Sequence, residues 1–149
     1  LHARFQEAIA SLGLWPTYET FKKAVYEHVQ ASRAETGPTA KTELWDFSLF
    51  NDSTCEPVPA DGAGEMTWWG DSAHFTPALG KRLLAEILTP SPAPGLGVRL
   101  LPGNVAVDDH LARIRNGLDA FRAASPDVVA DVRAVFGLKE PLPPLPCPR

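Results

Sequence analysis

"MTWWGDSAHFTPALGKRLLAEIL", Met66 to Leu88, decides how this chain is read. At its centre, in "GDSAH", Asp71 stands three residues before His74, at the mouth of an amphipathic helix. Thr76 followed by Pro77 is a helix start, a capping hydroxyl with proline in the first turn. Leu79, Leu83, Leu84 and Ile87 then recur on one face. A histidine acts as a general base when a carboxylate fixes its tautomer and stabilises the imidazolium that forms. An aspartate three residues upstream can curl back to make that bond, so Asp71 and His74 meet the requirement on spacing. The plainer alternative is a helix cap by Asp71 or Ser72 with a solvated His74, and Asp-x-x-His pairs arise often by chance. The flanks shift the weight toward chemistry. Trp68 and Trp69 form a wall that can exclude water, and the pair stands between a buried strand and a helix, where open α/β sheets place their sites.

Upstream, "HARFQEAIASLGLWP" carries Phe5, Ile9 and Leu12 at helical spacing and stops at Gly13. Thr17 is placed to cap a second helix, in which Phe21, Ala24, Val25, His28 and Val29 share a face. "ELWDFSLF" packs Leu44, Trp45, Phe47, Leu49 and Phe50 closely enough for a short buried strand. The run from Asn51 to Gly64 is a loop. Beyond the Thr76 helix, "TPSPAPGLG" breaks the pattern and "VRLL" is a short edge strand or an extended link. Asp108 or Asp109 opens a helix with a stripe of Leu111, Ile114, Leu118 and Phe121, and Ser125-Pro126 starts another that ends at Gly137. The chain therefore reads as one domain over 1–137 with a Pro-rich tail over 138–149, whose "PLPPLPCPR" favours an extended polyproline conformation.

Bulk properties exclude several classes. The formal net charge of -4 comes without any basic run, whereas a nucleic-acid surface needs clustered Lys and Arg; no nucleic-acid partner is expected. No apolar run approaches the roughly 20 residues needed to span a bilayer. Cys55 and Cys147 are too few for a disulfide framework and have no Cys or His at zinc spacing, and the four histidines are too dispersed for a metal set, so neither metal nor cofactor is expected. His2 and His28 read as structural or solvated. The first residue is Leu1, which suggests a piece of something longer or a processed product.

Four or five helices against one convincing strand is an odd inventory, because a strand as apolar as "LWDFSLF" wants sheet neighbours. "WWGDSAHFTPALGKRLLAEIL", following "LWDFSLFN" and its loop, resembles the C-terminal block of the SGNH (GDSL-type) hydrolases, where Asp-x-x-His after the last core strand supplies two members of a Ser-His-Asp triad. The ordered series "GLWPTYETFKKAV", "LWDFSLFNDSTCEPVP", "MTWWGDSAHFTPALG", "GVRLLPGN" and "HLARIRN" looks like the C-terminal half of a group of bacterial proteins of that kind, up to about Arg115.

The resemblance implies an α/β fold: the C-terminal part of a flavodoxin-like three-layer architecture, helix-rich with few strands. "ELWDF" would be the last strand of its parallel sheet, with the preceding helix on one face and the Thr76 helix on the other. It implies a serine esterase or O-acyltransferase in which Asp71 orients His74 and His74 activates a serine. Gly70-Asp71-Ser72 also spells the family's nucleophile motif. That reading leaves no downstream dyad, since Val107 stands three residues before His110. The nucleophile block would instead lie upstream of Leu1, and the chain alone would be inactive. Trp69, Asn51 and Ser72 are the candidate substrate contacts, with Asn51 better suited to a turn than to an oxyanion hole. Glu56, Asp61 and Glu65 line the loop facing Asp71.

Implied partners are a small-molecule or carbohydrate ester and the missing N-terminal part of the fold or a second copy, with a cell-envelope location. The alternative is a helical binding or scaffolding module in which "GDSAH" caps a helix and the Pro-rich tail is a groove ligand.

Overall fold

His2 fixes the start of the first helix and ties it to the loop that leads to the site. Its Nδ1 accepts the N–H of Arg4 at 3.1 Å, which leaves Nε2 to donate to the carbonyl of Glu56 at 2.8 Å, and the ring is buried. The computed structural model describes residues 1–37, 41–59, 64–89, 95–103 and 105–139. Asp61, Cys147 and residues 140–149 of the Pro-rich tail lie outside them.

Helix α1 (Ala3–Ser11) ends where Gly13 takes a φ of 72°, a left-handed turn open to glycine. Helix α2 (Trp15–Thr36) follows at once. It starts two residues before the expected Thr17 cap: Pro16 occupies the first turn, and Leu14, at the cap position, offers no hydrogen-bonding side chain. Proline's fixed φ takes over the role that a capping hydroxyl was expected to play. Strand β1 (Leu44–Asp46), helix α3 (Pro77–Leu88), strand β2 (Val98–Leu101), helix α4 (Val107–Ala124) and helix α5 (Pro126–Val135) complete the order.

The core lies between helices. Ala10, Trp15, Leu111, Ile114 and Leu118 form its centre, with Leu49 and Phe50 packed onto it from the segment after β1. Each fully buried Leu or Ile contributes about 1.5–3 kcal/mol relative to exposure. Phe50 reaches α4 because Gly117 has no side chain; a Cβ there would stand 2.7 Å from the Phe50 ring. Helix α5 lies against α1, and the buried Glu7 of α1 takes Arg122 of α4 through two bonds of 2.7 and 3.2 Å.

Among the described residues the sheet is a single antiparallel pair, Leu44 opposite Leu101, Trp45 opposite Arg99 and Asp46 opposite Val98, with an irregularity between Leu44 and Trp45. The chain is thus helix-rich with a small sheet, a mixed α/β arrangement in the coarse sense. "VRLL" is the strand that pairs with "LWD", so the ladder within this chain runs antiparallel, not parallel. The apolar face expected on α2 is largely uncovered. Phe21 is 64% exposed and only Trp15 among the 22 residues is buried, because the helix runs on past the core that its first turns rest on. On α3, Leu79 is buried as expected but Leu84 is 59% exposed.

Asp46 ties β1 to two helices. Its Oδ2 accepts from Lys22 Nζ of α2 at 2.6 Å and from His110 Nε2 of α4 at 3.0 Å, while Oδ1 accepts the Ser48 N–H at 2.9 Å. Ser48 Oγ in turn accepts from Lys22 and from Tyr18. Burial alone would raise the Asp46 pKa, but the His110 bond and the Lys22 charge outweigh it and hold the carboxyl well below the usual carboxylate range. A depressed folded-state pKa gives stability that is present above the unfolded value of about 3.9 and lost as pH falls toward the folded one. Urea-unfolding stability should therefore decline below about pH 4. Asp46→Ala should remove that part of the pH dependence and cost about 3–5 kcal/mol at neutral pH, since it strands the Lys22 ammonium without its counter-charge.

Candidate active site

The site is a tight hairpin between Thr67 and Thr76. Trp69 and Phe75 pair across it as an isolated antiparallel bridge, and the Gly70 N–H donates to the His74 carbonyl at 2.7 Å. Two residues clamp its base. Glu56 accepts the N–H groups of Thr67 and Trp68 on its two carboxylate oxygens at 2.6 and 2.8 Å. Thr76 donates its hydroxyl to the Thr67 carbonyl at 2.8 Å, gives its N–H to the Trp68 carbonyl at 2.9 Å, and caps α3 by accepting the Leu79 N–H.

At the tip, Asp71 does not cap α3, whose N-cap is Thr76; it holds its own turn and the His74 ring. Oδ1 accepts the backbone N–H of Ala73 and of His74, each at 2.7 Å, which fixes the turn; Oδ2 lies 2.8 Å from His74 Nδ1. A carboxylate only accepts, so Nδ1 carries the proton and donates, and in the neutral ring Nε2 presents its lone pair. The His74 bond, followed by the two backbone donors, lowers the Asp71 pKa to about 2. Among the described residues no group engages Nε2, and the His74 side chain is 83% exposed. The pair is therefore oriented but open to water, and the tryptophan wall does not close over it.

The two tryptophans face opposite ways. Trp69 is buried at 4%, its indole N–H donates to the Ser53 carbonyl at 2.6 Å, and its ring meets His2 edge-on at 5.5 Å. Its polar atom is thus unavailable to a ligand. Trp68 lies under the Arg82 guanidinium, 4.5 Å from the ring centre. Asn51 is a turn residue, as its sequence suggested: Oδ1 accepts from Ser53 and Thr54, and Nδ2 donates to the carbonyls of Leu49 and Leu96. No spare N–H remains to serve as an oxyanion donor. Ser72 is half-buried within the dyad turn, and its hydroxyl makes no hydrogen bond among the described residues.

In sequence Glu56 reads only as a loop residue facing Asp71, and its clamp on Thr67 and Trp68 has no local signature because the partners lie 11 and 12 positions away. The buried Asp46–His110 pair was missed altogether, its members standing 64 positions apart. It is sealed: His110 is fully buried and its Nδ1 has no partner among the described residues. No group of three or more metal-ligating side chains occurs among the described residues.

Comparison with protein-family models, with curated proteins and with solved structures returned no match for this chain.

The geometry sets two spectroscopic expectations. The Asp71 side-chain carboxyl should titrate with a midpoint of about 2 when followed by 13C NMR. Neutral His74 should show the nitrogen shifts of the Nδ1–H tautomer, and Asp71→Ala should move them toward the Nε2–H form that free histidine favours; unchanged shifts would mean that the 2.8 Å bond does not set the tautomer.

Proposed function

We propose that this chain supplies the His-Asp pair of a serine ester hydrolase or O-acyltransferase of SGNH type, with the nucleophile contributed by a segment outside it. The observation that carries the reading is the Asp71–His74 hydrogen bond of 2.8 Å combined with a free, solvent-facing Nε2. That is the arrangement of a general base whose tautomer is set and whose working nitrogen awaits a hydroxyl.

In this mechanism His74 Nε2 takes the proton of a serine hydroxyl as the oxygen attacks the ester carbonyl. It then returns the proton to the departing alcohol, and a water or a second alcohol repeats the sequence to release the acyl group. Asp71 holds the ring and offsets the imidazolium charge. The outer edge of β1 and the uncovered faces of α2 and α3 suit completion of a larger, flavodoxin-like sheet by the segment that brings the serine, or association with a second copy. The chain by itself should hydrolyse esters poorly, because among the described residues neither a serine nor oxyanion donors are held against His74.

The test is esterase activity of the intact gene product on 4-nitrophenyl acetate. His74→Ala should lower kcat by about 10⁴–10⁶-fold, and Asp71→Ala by about 10³–10⁴-fold, with little change in KM. Activity indifferent to His74→Ala would end the hydrolase reading.

A further inference from the structure

Helix α5 turns one face to a cleft that no residue of the dyad hairpin borders. The cleft measures about 390 Å³, within the range of about 300–1,000 Å³ usual for small-molecule sites. Its apolar part is Pro126, Val129 and Ala130, and Arg133 shares their face of α5, the four residues standing at helical spacing. Lys139 joins them because the chain turns back at Gly137, in the left-handed conformation, with the N–H groups of Gly137 and Leu138 donating to the carbonyls of Ala134 and Arg133. Glu7 of α1 and Arg122 of α4 complete the lining.

The charges on this lining are unequal. Glu7 is its one acid, since Asp127 and Asp131 of α5 do not border the cleft. That carboxylate is buried and fully engaged: Oε1 accepts from Ser11 Oγ at 2.7 Å and from Arg122 Nη2 at 3.2 Å, and Oε2 accepts from Arg122 Nε at 2.7 Å. Glu7 therefore offsets Arg122 and nothing more. Arg133 and Lys139 make no side-chain hydrogen bond or ion pair among the described residues.

A buried ion pair is weak support for stability, because desolvating both charges costs about what their attraction returns. This pair does something else: it fixes an arginine. The guanidinium is planar, so with Nε and Nη2 held by Glu7 its Nη1 keeps both protons, and Nη1 has no partner among the described residues. Arg122 lines the cleft and keeps 20% of its side chain exposed.

We propose that this cleft binds a small molecule with an oxyanion head, a carboxylate or a phosphate monoester, and a short apolar body. The head meets Arg122 Nη1, Arg133 and Lys139, and the body rests on Pro126, Val129 and Ala130. A neutral ligand would strip water from the cations without replacing it, and a cationic one would be repelled. A metal ion finds no free carboxylate here, as both Glu7 oxygens are taken. The site is separate from the dyad and does not depend on the hydrolase reading.

The test is a titration of the intact gene product, 13C-labelled at valine and alanine methyls, with hexanoate, hexyl phosphate, inorganic phosphate, hexanol and hexylamine. Hexanoate or hexyl phosphate should shift the Val129 and Ala130 methyls saturably and bind at least about tenfold more tightly than hexanol, with no saturable shift from hexylamine. The tighter of the two acids assigns the head as carboxylate or phosphate ester. Inorganic phosphate should bind at least about tenfold more weakly than hexyl phosphate, having no methylenes to bury. Arg133→Gln combined with Lys139→Gln should lower the affinity about tenfold or more, and Ala130→Phe, at an exposed position, should fill the floor and abolish the Val129 shift. An unchanged urea-unfolding midpoint would show that these variants keep the fold. Absence of a saturable shift, hexanol binding as tightly as the acids, or undiminished affinity in either variant would overturn the site. No ester enters the titration, so its result stands apart from whether His74 is a catalytic base.

Discussion

An ionised carboxylate inside the protein holds the two halves of this chain together. Asp46 is the last residue of β1, and its oxygens engage α2 through Lys22, α4 through His110, and the following turn through the Ser48 N–H. A buried charge is tolerated only when its lone pairs are filled, and here the donors come from three separate elements. That constraint fixes where β1 ends and where the segment Phe47 to Phe50 must run, which in turn carries Phe50 to the gap above Gly117. The helical core and the strand are thus registered by one polar cluster, while the apolar contacts supply most of the stability.

Among the described residues there are two aspartate–histidine pairs, and their surroundings differ. In Asp46–His110 the bond runs to Nε2, Nδ1 is buried, and neither ring nitrogen can meet a substrate. In Asp71–His74 the bond runs to Nδ1 and the other nitrogen faces solvent. Hydrogen-bond length does not separate them, at 3.0 and 2.8 Å. Access does. The exposed pair is held by local means: two backbone bonds to Asp71 Oδ1, a cross-hairpin bond at Gly70, and the Glu56 and Thr76 clamps below. On the proposed function this suits a base that meets a hydroxyl from elsewhere, which has to be rigid without being covered.

What was legible in sequence was what short-range spacing encodes. The Thr76-Pro77 start of α3, the stripe of α4 and the Asp71–His74 pair all depend on residues within a turn or two of one another, and each stands where the spacing placed it. Trp69 shows the limit. Alternation said that one of the two tryptophans would turn inward, but which one depended on the Ser53 carbonyl, 16 positions away. The β1–β2 pairing was similarly out of reach, since Trp45 and Arg99 are joined by no local signal. The α2 face misled for a different reason: helical periodicity reports that a face is apolar and says nothing of whether this chain contains what covers it.

That uncovered surface bears on how the site works. Phe21 of α2 and Leu84 and Leu88 of α3 are 64%, 59% and 78% exposed. The main helical core lies among α1, α2 and α4, away from α3, so the hairpin bearing the dyad is anchored by the buried Trp69 ring and by hydrogen bonds: His2 to Glu56, Glu56 to Thr67 and Trp68, and Trp69 to Ser53. Such bonds fix direction well but contribute only about 0.5–1.5 kcal/mol each. Apolar cover over α3 would add stability where the chain has least of it, and it would seat the hairpin more firmly at the same time. On the proposed function, the partner that brings the serine would then also bring the packing that holds His74 still.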